Sequence, residues 1–270
     1  MQLNKIYNGD AVCILDEQVA DKSIDIAIID PPYNISASST KVLAYKDGLA
    51  EKKNFSLFNE DWDSFDSIEQ YIQWTDSWLN KVFEKLKDDG SVFIFGSYHN
   101  IGLVNYVLQK QGRMIINDIC WFKRNAVPNL ACRRLQASYE TILWVAKDKK
   151  YRFNYKDVKA AAYDGDSIKK EGKQLRNVWD IPTKAEKRYK HPAKKPVSVY
   201  QRCIDVAGLK GGVLLDCFAG SGTAAVAAIS KDMEYIVVEK DENYCEIIDR
   251  RINDYLEEEK VKLAQKAKTC

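Results

Sequence analysis

An α/β fold with a mainly parallel sheet is what the sequence predicts, and three stretches predict it. The apolar run Ile24-Asp25-Ile26-Ala27-Ile28-Ile29 ends in Asp30-Pro31-Pro32-Tyr33. The run Val213-Leu214-Leu215 ends in Asp216-Cys217-Phe218-Ala219-Gly220-Ser221-Gly222-Thr223 and passes into an alanine-rich helix start, and Tyr235-Ile236-Val237-Val238 ends in Glu239. Short continuous apolar runs separated by helical patterns are strands covered on both faces. Each carries its polar motif at the carboxyl end, where ligands gather in open α/β sheets.

In chain order, a short strand is expected near Lys5-Ile6-Tyr7, then a turn at Asn8-Gly9-Asp10, a short helix and the strand into Asp30. Pro31-Pro32 fixes φ twice and removes two N–H donors, so that strand must stop. Asp30 and the Pro31 carbonyl can then accept the two N–H bonds of a flat heterocycle bearing an amino group, with Tyr33 stacked on its face. The alternative is that Pro31-Pro32 only terminates a buried strand and Asp30 caps the next segment. From Asn34 to Asp61 the chain is polar, with Ser36, Ser38, Ser39, Lys41, Lys46, Lys52 and Lys53, and is expected to form a mobile cover over the strand end.

Ser67 and Gln70 make a capping box ahead of Ile68, Ile72, Leu79, Val82, Phe83 and Leu86 at helical spacing, and the helix is expected to stop at Asp88-Asp89-Gly90. Trp74 and Trp78 on it read as packing residues. Ser91 to Phe95 is the next buried strand, Asn100 to Gln111 a helix, and Ile115 to Phe122 and Thr141 to Ala146 two further strands. After Pro196 a helix runs to Gly208; the last helix, from Asp241 to about Lys260, carries the stripe Tyr244, Ile248, Ile252, Tyr255/Leu256, and the charged tail 257–270 is expected to fray.

The glycine turn after Leu215 lets backbone approach a ligand closely. It lacks the Gly-Lys-Ser/Thr ending of a triphosphate loop and departs from GxGxxG, which disfavours a dinucleotide. Glu239, at the tip of the following strand, is placed to accept both hydroxyls of a ribose; alone, it could equally be a solvated carboxylate opening a helix.

Asp30-Pro31-Pro32-Tyr33, then His191-Pro192-Ala193-Lys194-Lys195-Pro196, then the Phe218-to-Thr223 turn and the strand ending in Glu239, with Tyr244 beyond it, together resemble the permuted, β-class DNA amino-methyltransferases. The resemblance spans nearly the whole chain. It implies a Rossmann-like, circularly permuted domain with a seven-stranded, mainly parallel sheet. S-adenosylmethionine (SAM) would be the methyl donor, S-adenosylhomocysteine the product, and no metal would be needed. Asp30, Pro31, Pro32 and Tyr33 would be catalytic. The cofactor would be held by Asp10, Asp30, Lys195, Asp216, Phe218, Ala219, Gly220, Ser221, Gly222, Thr223 and Glu239. Asp10 is equally readable as an ordinary turn residue. Residues 1–270 would form one methyltransferase domain, with a target-recognition insertion at about 147–190 and the cofactor-binding half at about 191–256.

Lys149 to Lys195 carries a local net charge of +9 in a chain of net charge +2, as a polyanion-binding module on an acidic body would. Tyr151, Phe153, Tyr155, Tyr163, Trp179 and Tyr189 interleave with those charges. Trp121, Phe122, Lys123, Arg124 and Asn125, followed by Arg133 and Arg134, resemble the segment that lines the family's target-base pocket. Lys123, Arg124, Arg133, Arg134, Lys187 and Arg188 are candidates for phosphate contacts and Asn125 for DNA contact, although an ordinary basic hairpin has the same composition.

Seven scattered cysteines without a CxxC pair, and two histidines, form neither a disulfide framework nor a zinc site, and fit a reducing cytoplasm. No apolar run approaches membrane-spanning length, so membrane insertion is disfavoured. Double-stranded DNA is the expected partner, with a homodimer and a companion restriction endonuclease as family expectations. The opening aspartate of Asp30-Pro31-Pro32-Tyr33 is the family's usual adenine-N6 mark. Cytosine-N4 methylation, methylation of RNA or protein, and a non-catalytic DNA-binding module are the competing readings.

Overall fold

A computed structural model of the chain describes residues 1–34, 44–46, 49–51, 65–126, 128, 132–183, 188–189 and 195–269. The central sheet contains strands β1 (Lys5–Asn8), β2 (Ile24–Ile29), β5 (Leu86–Gly96), β6 (Met114–Phe122), β7 (Tyr139–Ala146), β8 (Val178–Asp180), β9 (Val213–Asp216) and β10 (Glu234–Glu239). A separate hairpin pairs β3 (Ala44–Lys46) with β4 (Leu49–Glu51) inside the segment read as loop. The helices are α1 (Ala11–Gln18), α2 (Ile68–Lys85), α3 (Ile101–Lys110), α4 (Tyr155–Ala160), α5 (Val197–Ala207), α6 (Thr223–Ser230) and α7 (Glu242–Thr269).

The sheet runs in the order β1-β10-β9-β2-β5-β7-β6-β8. The first five strands in that order are mutually parallel, and β7 is antiparallel to both β5 and β6. Eight strands, not seven, make the sheet, because Val178-Trp179-Asp180 of the basic stretch adds β8 alongside β6. Trp179 is buried there, and the indole N–H of Trp121 donates to the Ile181 carbonyl at 2.7 Å.

Residues alternate across the sheet into two cores. One face of β2 and β5 (Ile26, Ile28, Phe93, Phe95) packs under α5, α6 and α7. The other (Ala27, Ile29, Val92, Ile94) packs under α1, α2 and α3. The Ser67 hydroxyl caps α2 by accepting from Gln70 N–H at 3.1 Å, and Trp78, Leu79, Val82 and Phe83 are its buried stripe. The expected stop at Asp88-Asp89-Gly90 is corrected: α2 ends at Lys85 and those residues begin β5. Gly90 is needed there, since a Cβ would lie 3.0 Å from the Lys87 carbonyl oxygen and 3.1 Å from that of Asp25. The charged tail beyond 257 is helical in the structure, as α7 continues to Thr269.

The chain leaving β9 enters α6 on one face, whereas the chain leaving β2 reaches α2 on the other. Because β9 and β2 are parallel neighbours, a crevice opens between their carboxyl ends, the usual ligand position in such sheets. The Asp30 and Asp216 motifs both stand at that crevice.

Candidate active site

Asp30 is held by two donors, and the proline turn after it is braced separately. Tyr33 donates its hydroxyl to Oδ1 at 2.6 Å, and the Lys195 ammonium donates to Oδ2 at 2.6 Å. Tyr71 of α2 donates its hydroxyl to the Pro32 carbonyl at 3.0 Å and accepts from the Asn100 amide at 3.1 Å, so two helices brace the proline turn. The Pro31 carbonyl accepts no hydrogen bond from a described residue. Beside Tyr33 a cavity of about 330 Å³ opens between Phe65, Ile68, His99 and Leu103. A larger hollow of about 870 Å³, between α5 and residues 154–164, contains none of Asp30, Asp216 or Glu239.

A second carboxylate, absent from the sequence-based site, faces Asp30. Glu140 accepts from Lys123 at 2.9 Å on Oε1, and its Oε2 is 3.5 Å from the Lys195 nitrogen and 3.4 Å from the Tyr33 hydroxyl. Burial, reinforced by the Glu140 charge, lifts the Asp30 carboxyl above its ordinary range against the pull of Lys195. Burial acts the same way on Glu140, but the Lys195 and Lys123 ammoniums outweigh it and hold that carboxyl low. Lys195 is raised: burial opposes its charge, and Asp30 and Glu140 together prevail. Burial, with the two carboxylates nearby, lifts the Tyr33 phenol well above its usual range.

On the neighbouring strands the glycine turn is fixed by backbone. Gly222 has φ +77°, and a Cβ there would come within 2.8 Å of Ile248 on α7, so only glycine fits. Gly220 N–H donates to Glu239 Oε2 at 2.7 Å, and Asp241 N–H to Oε1 at 3.0 Å, leaving each oxygen a further lone pair. Arg251, buried, donates to the Ser221 carbonyl at 2.8 Å, the Ser221 hydroxyl at 3.1 Å and the Thr223 hydroxyl at 3.0 Å. Ser221 and Thr223 are therefore engaged in holding the turn's shape. The Thr223 hydroxyl also donates to the Lys195 carbonyl at 3.4 Å, so Lys195 links the turn to Asp30. Phe218 packs on Trp74 and Trp78 of α2, which confirms both tryptophans as packing residues.

Asp216 accepts from Phe218 N–H at 3.0 Å, and burial drives its carboxyl well above the ordinary range. A cation beside it would restore its charge, and that is the feature of this turn that suits a cationic ligand. Glu239 is likewise raised, chiefly by burial. Asp10 caps α1, accepting from Val12 N–H at 2.9 Å and Cys13 N–H at 3.3 Å. It stands beside Glu239, since Gly9 N–H donates to the Glu239 carbonyl at 3.0 Å.

Several residues expected to contact DNA have partners within the chain. Lys123 serves Glu140, and Arg124 pairs with buried Asp180 at 2.5 Å. Asn125 accepts from Thr183 N–H at 2.8 Å, and Arg188 pairs with Asp254 and Glu258 of α7 at 3.3 and 2.7 Å. Arg133 and Arg134 are exposed, with Arg134 donating to the Tyr98 hydroxyl at 2.5 Å. Trp179 and Tyr189, read as interleaved recognition aromatics, are buried, whereas Phe153 and Tyr155 are exposed. Lys187, residues 191–194 of the His191-to-Pro196 motif, and most of the 34–61 segment lie outside the described residues. Among the described residues no cluster could hold a metal ion, and no helix is long and apolar enough to cross a membrane.

The chain is similar to known proteins in sequence and in fold. The DNA methylase family matches the chain over residues 24–250. The type II methyltransferase M2.DpnII of Streptococcus pneumoniae is 35% identical over 240 residues, covering 86% of this chain and 83% of its own. M2.MboI of Moraxella bovis is 32% identical, covering 92% of this chain and 87% of its own. Among solved structures, the M1.HpyAVI–SAM complex superposes with a TM-score of 0.64 at 21% identity, covering 92% of this chain and 98% of that one. The cytosine-N4-specific PvuII DNA methyltransferase gives 0.67 at 19%, covering 94% and 92%.

Proposed function

The chain belongs to the DNA methylase family, and from that premise we propose that it transfers a methyl group from SAM to the N6 amino group of adenine at a specific sequence in double-stranded DNA. The observation that carries the reading is the parallel pairing of β2 with β9, which sets Asp30 and the Asp216-to-Thr223 turn side by side. The two raised carboxyls of Asp216 and Glu239 suit a ligand bearing a cationic end and a ribose. Phe218 to Gly222 would supply the close backbone, Glu239 the ribose acceptors and Asp216 the partner of the positive charge. When bound, SAM supplies a methyl group made electrophilic by its sulfonium.

The chain's own residues do the rest. A duplex hides the amino group, so the base is extruded at a cost of about a few kcal/mol. Asp30 and the Pro31 carbonyl accept hydrogen bonds from the two amino hydrogens, which turns the nitrogen lone pair toward the donor; one of those protons is released as the new N–C bond replaces the S–C bond, and S-adenosylhomocysteine is left as the product. Tyr33 lies against the ring. Fixing two reactants in line accounts for much of the acceleration, and no covalent enzyme intermediate is required. Adenine rather than cytosine follows from the aspartate that opens Asp30-Pro31-Pro32-Tyr33 and from the larger stacking face of a purine.

Residues 147–190 are assigned to target recognition because Val178–Asp180 within them forms β8 beside β6, the strand that leads into Lys123 and Arg124. The type II description of the relatives supports a cytoplasmic modification enzyme working beside a companion restriction endonuclease. Sequencing the modified bases in DNA from cells expressing the chain tests the proposal. N6-methyladenine at one recurring motif is expected, and DNA unchanged from control cells would refute it.

A further inference from the structure

Both oxygens of Asp30 already hold donors, Tyr33 on Oδ1 and Lys195 on Oδ2. Each oxygen keeps a further lone pair, but a base amine that bonds Asp30 shares the carboxylate with these donors and loosens their hold, and a buried ammonium that loses its carboxylate without replacement is strongly disfavoured. Glu140 offers the replacement. Its Oε2 faces both donors, 3.5 Å from Lys195 and 3.4 Å from Tyr33, while Lys123 occupies Oε1. A shift of roughly 0.7 Å would bring the Lys195 nitrogen to an ordinary charge-assisted distance.

Resting on the DNA-methylation reading above, we propose that Glu140 is a positioning residue for methyl transfer: it receives Lys195, and the Tyr33 hydroxyl with it, as the target amine takes Asp30. No proton or electron moves in the exchange. Two carboxylates and two ammoniums are present before and after, first with Lys195 shared between Asp30 at 2.6 Å and Glu140 at 3.5 Å, then with both lysines held closely by Glu140. The positive charge that develops on the attacking nitrogen then meets a carboxylate no longer neutralised by Lys195. The placement depends on β7 running antiparallel, because Thr141 pairs with Gly96 and brings the beginning of β7 to the tips of β2 and β5. A charged residue on a strand otherwise buried from Ile142 onward is thereby delivered to the site.

The test is a double-mutant cycle on single-turnover methyl transfer to duplex DNA, with SAM affinity measured alongside. Glu140→Gln should slow transfer about 10- to 100-fold, the equivalent of one charged hydrogen bond. SAM affinity should change by less than about twofold, well under one RT unit of binding free energy. In a Lys195→Met background the same substitution should cost little, since no ammonium remains to be received.

The pH profile separates positioning from packing. Asp30 is faced by Lys195, Glu140, Tyr33, Tyr200 and Asp216, and removing the Glu140 charge should move the acid limb of the rate to lower pH. Should Glu140→Gln lose SAM binding through misfolding, Glu140→Asp, which keeps the charge on a shorter reach, carries the cycle instead. Equal cost in both backgrounds, or a wild-type rate in the single variant, would overturn the exchange. A wild-type protein that transfers no methyl to any DNA would instead overturn the functional reading.

Discussion

Asp30, Asp216 and Glu239 share a chemistry that burial imposes: three carboxyls raised above their ordinary range on adjoining strand tips. Their assigned roles separate by experiment. Asp30→Ala should abolish methyl transfer and leave SAM affinity within about tenfold, a difference of roughly 1.4 kcal/mol, because its partners are Tyr33 and Lys195 rather than the glycine turn. Equilibrium binding and single-turnover assays check both halves. Glu239→Ala should weaken SAM by about 1.5–3 kcal/mol, the scale of charged hydrogen bonds to a ribose; calorimetry giving an unchanged dissociation constant would remove it from the site. For Asp216 the consequence is one of stability. A carboxyl raised by folding binds more protons in the native than in the unfolded state, so it subtracts stability as pH climbs above the unfolded value of 3.8. Asp216→Asn should raise the melting temperature of the isolated protein at neutral pH, and the gain should vanish toward the acid end of that window. A thermal melt series across pH reads the sign directly.

At the scale of elements, the strands and helices that build the crevice were legible because their patterns are local. Apolar runs ended in polar motifs, and Ser67 with Gln70 marked the start of α2. What escaped depended on partners distant in sequence. Val178-Trp179-Asp180 is too short for its alternation to register, and becomes a strand only because β6 offers an unpaired edge. Glu140 stands at the start of β7, and nothing in the sequence says that this strand runs backward and so presents its beginning, not its end, to the site. Arg251 could have been noticed, three residues beyond buried Ile248 on the stripe of α7, yet its target Ser221 is thirty residues away. Toward the end of α7, Glu257–Lys260 and Glu259–Lys262 pair at i,i+3 on the helix surface. The loop from Arg133 differs from Arg124 in the same terms. Arg133→Ala with Arg134→Ala should flatten the slope of log affinity against log salt by about 2, near 0.9 for each phosphate no longer neutralised. Arg124→Ala should instead lower folding stability by about 1–3 kcal/mol by leaving Asp180 buried with one partner fewer, toward the lower end because Arg124 is 41% exposed. Salt titrations of DNA binding and chemical denaturation distinguish the two.

For the whole molecule, the excess charge of the basic stretch is partly spent inside the protein. Arg152 pairs with Asp89, Lys169 is buried on three backbone carbonyls, and Arg188 pairs across to α7. The charge asymmetry visible in composition thus reports both internal packing and outward potential, and only the exposed remainder is available to a polyanion. The sheet organises the rest: β10, β9 and β2 end side by side, one bearing Glu239, the next Asp216, the third Asp30, with Lys195 joining the last two. We propose that this row of strand tips methylates the exocyclic nitrogen of adenine in DNA. The measurement that meets it most directly is to incubate the protein with methyl-labelled SAM and mixed-sequence duplex DNA, digest to nucleosides and separate them. Label is expected to travel with N6-methyladenine and to disappear with Asp30→Ala; label travelling only with N4-methylcytosine, or no labelled nucleoside from duplex or single-stranded DNA, would contradict it.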